Sequence, residues 1–283
     1  MLRVGVTAEA PHSAIRVYAD GLDHPECVCW HPDGCLYAGG EQGQIYRISN
    51  LGQHVDEIAR TNGFVLGVAV SPDGSWLAAC DFKNKCVWKC DLDSGGLSVL
   101  TRGTADCPMQ IPNHLAFDHA GQLYVSDSVS AEVNSGRIYR VTPTGTTTVW
   151  HDGPLHFANG LAISPSQDAI FVVCTWAHTV ERIELNSAGE PGARSGYVVL
   201  EDTLPDGLAF DAQGDLYVSC YTPSRIYRVR PGDPPEVSIY ADDWTDHSQC
   251  HPTNICFGGV DGATLYAANL GRWHIAAIET ERQ

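Results

Sequence analysis

The chain has 283 residues, 43% of them hydrophobic, which supplies a full core and excludes wholesale disorder. Its 17 Lys+Arg against 34 Asp+Glu leave a formal net charge of −17, which speaks against nucleic acid or an anionic membrane as a partner, since both call for basic patches. The longest apolar runs, such as 169–174, fall far short of the ~20 residues that span a bilayer, and no basic-then-apolar leader follows Met1.

In chain order, residues 1–12 carry no pattern and are expected to be loose. IRVYAD (15–20) is an isolated strand. Six hairpins then follow, each an alternating apolar stretch, a turn of Asp, Gly or Pro, and a second alternating stretch: 24–40, 65–81, 111–127, 157–175, 204–220 and 251–269. Each hairpin is followed by a third strand, at 45–48, 86–90, 137–141, 180–185, 225–229 and 274–279. Five repeats add a fourth, at 55–59, 97–101, 146–150, 197–201 and 236–241. The sixth runs out of chain, and the ending of IRVYAD matches SIYAD (238–242), so the N-terminal strand is predicted to complete the last repeat. The whole chain, 1–283, therefore reads as a single all-β domain: a six-bladed β-propeller with four strands per blade, closed by 15–20. Closure removes long exposed sheet edges.

The repeats can be placed in register. Two residues before the first inward apolar residue of each hairpin stand Glu26, Leu66, Asn113, Asn159, Asp206 and Thr253, spaced by 40, 47, 46, 47 and 47. The first strand of a propeller blade lines the central channel, so these six positions converge on one ring at one mouth. Asn-Gly and Asp-Gly are common turn dipeptides, but four oxygen-bearing side chains in one register call for another reason. Crowded near an axis, Glu26, Asn113, Asn159 and Asp206 would be poorly paired and mutually repelling unless a cation joined them. Their all-oxygen chemistry, without His or Cys, points to one divalent metal ion, Ca2+ first, with Zn2+, Mn2+, Mg2+ and Fe2+ as alternatives. The 11 cysteines, an odd number with several inside apolar strands, read as thiols of a reduced, cytoplasmic protein. No nucleophile elbow, phosphate loop or dinucleotide fingerprint is present.

The segments PEC (25–27), PNH (112–114), NGLAISP (159–165), PDGLAFDAQGDLYVS (205–219) and NICFGGVDGATLYAAN (254–269) resemble the senescence marker protein/gluconolactonase/luciferin-regenerating enzyme family, regucalcin-like proteins included, over about residues 15–280. The resemblance implies a six-bladed propeller around a divalent metal, with the metal-ligand roles falling on Glu26, Asn159, Asp206 and Asn113, and hydrolysis of a lactone. Three positions depart from the family pattern: Cys27 stands where Gly is usual, His114 where Asp or Gly is common, and Ile111 where animal lactonases carry an Arg. They touch the substrate pocket and leave the metal ligands intact, so the lactone expected is sugar-type or another small cyclic ester. Part of the chain (135–185) is also similar to strictosidine synthase-like propellers.

The expected enzyme is a metal-dependent hydrolase acting on a small molecule. The cation polarises the carbonyl and Asp206 serves as general base for water. A metal-bound hydroxide and covalent attack by Asp206 are competing versions. Candidate substrate contacts are Asn113, His114, Trp176, Tyr221 and Asp127, the last four from the ring neighbour and the mouth-facing ends of second strands. An organophosphate or aryl-ester hydrolase on the same scaffold, or a non-hydrolytic binding propeller, are the alternative functions.

Overall fold

A computed structural model describes residues 6–8, 15–243 and 248–279. The second strands of the repeats are continuous apolar runs because blades stack face to face and bury both of their surfaces. Trp76–Asp81, Ala169–Cys174 and Thr264–Asn269 are buried at every residue. The outermost strands, such as His54–Arg60 and Pro191–Val199, are largely exposed and carry the polar residues.

Six blades of four antiparallel strands result, and in blades one to five these four run from the axis outwards in chain order. The inner strands of blades one to six are Val28–Trp30, Val65–Val70, Pro112–Phe117, Ala158–Ile163, Leu204–Phe210 and Pro252–Gly258. The predicted closure is present: Ile15–Ala19 pairs with His274–Glu279 as the outer strand of blade six. One expectation is corrected. Residues 1–12 were expected to be loose, yet Val6–Ala8 forms a strand that lies parallel to Glu236–Asp242 and adds a fifth strand to blade five. The rest of 1–12 lies outside the described residues. Among the described residues no helix is long and apolar enough to cross a membrane, and all 11 cysteines are free.

The first-to-second-strand turns share one device. The fourth turn residue donates its N–H to the first (Gly34 to His31, Gly74 to Ser71, Gly121 to Asp118, Gly214 to Asp211, Gly262 to Gly259). Each of these glycines has positive φ, from 65° to 92°, where a Cβ is disfavoured. Blade four uses Gln167 instead, at φ 58°.

The core is divided into six clusters, one at each blade–blade interface. The cluster between blades six and one joins the two ends of the chain. Tyr18, Ala19, Tyr266 and Ile275 pack there against Val28, Leu36 and Ile48. Tyr266 sits at its centre, with the Tyr18 ring edge-on at 4.9 Å and the Trp30 ring stacked at 5.8 Å. Removing that ring opens a cavity across the seam, so Tyr266→Ala is expected to lower unfolding free energy by about 3–5 kcal/mol. Val99→Ala, on an exposed outer strand, should stay within about 0.5 kcal/mol. Urea unfolding of both variants checks the contrast.

Candidate metal centre at the channel mouth

Antiparallel order brings the start of each first strand, the end of each second strand and the start of each third strand to the same mouth. The six register positions meet there because the inner strands touch. A Cβ on Gly67, Gly160 or Gly207, each one residue after its ring position, would collide with the backbone of the next blade at Asn113, Asp206 and Thr253 respectively. Larger side chains occupy this position in the other three blades, and each reaches across to its neighbour. Asn254 donates its backbone N–H and its Nδ2 to the Glu26 carbonyl at 3.3 and 3.1 Å. Cys27 makes a long contact to the Val65 carbonyl, and His114 takes the Leu161 N–H on Nδ1 at 3.3 Å.

Hydroxyl groups of the second strands and of the turns that follow them complete the joints. Ser126 donates to the Asn159 carbonyl at 2.6 Å while receiving the His114 N–H at 3.0 Å. Ser219 makes the equivalent bridge from the Gly207 N–H to the Thr253 carbonyl. Thr253 Oγ1 donates to the Glu26 carbonyl at 2.8 Å, closing the ring over the seam.

A second pair of hydroxyls orients the two amides. Asn113 Nδ2 donates to Ser128 Oγ (3.1 Å), which donates to the Ala158 carbonyl (2.7 Å). Asn159 Nδ2 donates to Thr175 Oγ1 (3.1 Å), which donates to the Pro205 carbonyl (2.9 Å). Each hydroxyl proton is committed to a carbonyl that precedes the next ring residue, so the hydroxyl can only accept from the amide, and the amide oxygen is left for the centre. The Asn159 Oδ1 is buried without a hydrogen-bond partner, as is Asn254 Oδ1. Such an orphan costs on the order of 1–3 kcal/mol unless something meets it.

The electrostatics agree. Burial pushes the Glu26 carboxyl well above the usual carboxylate range, and the nearby Asp206 and Glu41 raise it further. Burial also raises Asp206, and a hydrogen bond from the Asn159 amide pulls it part of the way back. No Lys or Arg is among the groups that act on either carboxyl. Among the described residues no three His, Cys, Asp or Glu side chains gather; the centre has two carboxylates, and its remaining oxygens are amides. Oxygen donors of this kind, with excess negative charge, suit a hard divalent cation.

The other predicted residues divide. His114 is buried and burial lowers its pKa to about 4. The ring is therefore neutral near pH 7, and with Nδ1 accepting from Leu161 the proton sits on Nε2. Trp176 stands on the turn Thr175–Ala177, 38% exposed, with its ring 5.4 Å from that of Phe157. Tyr221 stacks on His251 at 4.6 Å. Asp127 is corrected. It is fully buried, and its oxygens accept the N–H groups of Gln110, Ile111 and Val129 at 2.9, 2.7 and 2.9 Å. It anchors the segment entering the inner strand and has no surface for substrate. Asp81 (accepting the Phe64 N–H) and Asn269 Oδ1 (accepting the Cys250 N–H) do the same in blades two and six.

Sequence reading missed Ser128 and Asn254, and took Thr175 only as a strand end. A signal existed: Ser128 follows Asn113 by 15 residues and Thr175 follows Asn159 by 16.

Comparison with known proteins places the fold and the family. The family profile described as the SMP-30/Gluconolactonase/LRE-like region matches residues 25–269. Regucalcin of Xenopus laevis is 22% identical over 222 residues, 75% of this chain and 67% of its own length. Gluconolactonase of Zymomonas mobilis is 27% identical over 226 residues, 71% of this chain and 59% of its own. Regucalcin of Danio rerio is matched over 50% of its length, so the chain spans about half to two thirds of these relatives. Among solved structures, a gluconolactonase from Xanthomonas campestris superposes with a TM-score of 0.80 at 19% identity, covering 99% of this chain and 94% of its own. A calcium-binding regucalcin from Agrobacterium tumefaciens gives 0.79 at 18% identity, covering 98% of each chain. These two likenesses establish the propeller fold, and the profile match establishes the kinship: the chain belongs to the SMP-30/gluconolactonase/LRE-like family.

Proposed function

We propose that this protein is a divalent-metal-dependent lactonase that hydrolyses a small cyclic ester, working in a reducing, cytoplasmic setting. One observation carries the proposal: Glu26 and Asp206 are near enough for one carboxyl to raise the other, no Lys or Arg among the described residues acts on either, and a buried Asn159 amide oxygen beside them has no partner. The gluconolactonase names of relatives support the reaction class, and the calcium-binding name of a structural neighbour supports Ca2+.

Glu26, Asn113, Asn159 and Asp206 would hold the ion. When bound, it would polarise the lactone carbonyl and stabilise negative charge on its oxygen. Asp206 accepts a proton from water as the water oxygen bonds to the carbonyl carbon. The ring C–O bond then breaks, and Asp206 returns the proton to the departing alkoxide, giving a hydroxy acid. Asn113, Trp176, Tyr221 and the neutral Nε2–H of His114 are the proposed substrate contacts. The Ser128 and Thr175 relays keep the amide oxygens aimed at the centre, a positioning role.

Three outcomes are expected. Chelation should abolish lactone hydrolysis and Ca2+ should restore it, while Asp206→Asn and Glu26→Gln each lower kcat/KM at least about 100-fold; full activity in all three cases would sink the mechanism. Ser128→Ala and Thr175→Val, which remove a hydroxyl outside the ligand set, should weaken Ca2+ binding roughly 10- to 100-fold, read by competition with a chromophoric chelator. The third concerns pH. Both carboxyls are raised in the fold, so as pH climbs from the ordinary carboxylate range through neutrality the unfolded chain loses protons that the metal-free fold keeps, and its stability falls. A cation binds the ionised pair and reverses the trend. Thermal melts should therefore show Ca2+ raising Tm more near pH 8 than near pH 5.5; an equal rise at both would contradict the assignment.

A further inference from the structure

The residues two positions before the ring form a second, outer tier at the same mouth: His24, Phe64, Ile111, Phe157, Leu204 and His251. All six are half-buried and all are aromatic or aliphatic. His24, Phe157 and His251 hold φ of 48°, 62° and 52°, a conformation that side-chain-bearing residues rarely adopt, so the fold keeps a ring where glycine would be at ease.

Further aromatic rings pair with this tier. Trp176 lies against Phe157 at 5.4 Å in blade four. At the seam of blades six and one, Trp273 approaches His24 at 5.5 Å, and His24 stacks on Phe64 at 6.2 Å. Tyr221 covers His251. Exposed large apolar side chains gather here. Among the described residues Phe82, Val133, Trp176 and Trp273 all stand on connections between second and third strands at this mouth, whereas Val17, Leu51, Val99 and Val260 lie on outer strands or at the far mouth. The polar side-chain atoms of the tier are few: His24 Nδ1 meets Glu41 at 2.7 Å and His251 Nδ1 meets the Tyr221 carbonyl at 2.7 Å, which leaves the two imidazole Nε2 atoms. What the tier itself offers a ligand is chiefly ring faces, so most hydroxyls of a sugar placed there would be desolvated without compensation.

From the placement of these aromatic rings around the carboxylate–amide centre, we propose that the substrate is a lactone fused to or carrying an aromatic ring, which packs on the aromatic tier that Trp176 and Trp273 border, and not a polyhydroxylated sugar lactone. The proposal rests on the lactonase reading above and supplies its substrate class.

The test compares dihydrocoumarin with D-glucono-1,5-lactone on the Ca2+-loaded protein, and measures binding of the unreactive lactam analogue of dihydrocoumarin by tryptophan fluorescence and calorimetry. The expected result is a kcat/KM at least about tenfold higher for dihydrocoumarin. Trp176→Ala and Trp273→Ala should each erase most of that preference through KM for dihydrocoumarin and weaken lactam binding about tenfold; Trp176→Phe should recover it. Both tryptophans are well exposed, at 38% and 50%, so their truncation leaves the core intact. Preference for gluconolactone, or variants that change both lactones equally, overturns the aryl assignment and leaves the lactonase standing. Lactam binding that depends on Trp176 and Trp273 without hydrolysis of either lactone upholds the aryl site and removes the lactonase. Absence of lactam binding to the unsubstituted protein overturns the aryl site whatever the hydrolysis result.

Discussion

Two like charges held together without a counter-charge are the constraint on which this molecule turns. Glu26 and Asp206 come from blades one and five, yet each raises the question of how the other stays ionised. Burial and mutual repulsion both favour their neutral forms. A sequence selected for stability alone would set small or apolar side chains at these positions, as Leu66 stands in blade two. The retained carboxylates, together with a stranded amide oxygen at Asn159, are what the proposed cation would satisfy.

The frame that keeps this pair together is the closed ring of inner strands. Touching backbones at Gly67, Gly160 and Gly207 allow no side chain between neighbouring blades. Side chains bridge the joints where glycine is absent: Asn254 to Glu26, and His114 to Leu161. Ring closure is in turn a property of the seam, where Ile15–Ala19 pairs with His274–Glu279 and Tyr266 packs between Tyr18 and Trp30. Stability at the periphery and ligand geometry at the axis are thereby linked, because the strand that closes blade six also fixes the face on which Thr253 and Asn254 reach Glu26.

The same mouth carries three kinds of polar residue doing different work. Asp81, Asp127 and Asn269 end second strands and face inwards to backbone N–H groups. Ser128 and Thr175 stand just beyond second strands and pass a hydrogen bond from an amide to the next blade. Glu26 and Asp206 are left partly accessible at the centre. The aromatic tier outside them limits what can arrive.

Much of this was readable from order alone. Hairpins announce themselves locally, through period-two alternation and a four-residue turn that ends in Gly in every blade but the fourth, so six repeats, their four-strand content and the closure by 15–20 followed without coordinates. Counting from one repeat to the next was enough to align Glu26, Asn113, Asn159 and Asp206, since a propeller maps equal register onto equal height. Three-dimensional contacts decided the rest. Val6–Ala8 carries no distinctive pattern and becomes a strand only because Glu236–Asp242 offers an open edge. Asp127 could have faced substrate or backbone; the N–H groups of Gln110, Ile111 and Val129, supplied by a loop that folds over it, settled which. The amide orientation of Asn113 and Asn159, the neutral state of His114 and the meeting of Trp273 with His24 depend on groups from other turns or from adjacent blades. Alternation and turn chemistry act between residues close in the chain and so can be read along it, whereas hydrogen-bond partners, burial and charge proximity exist only once distant segments have been brought together.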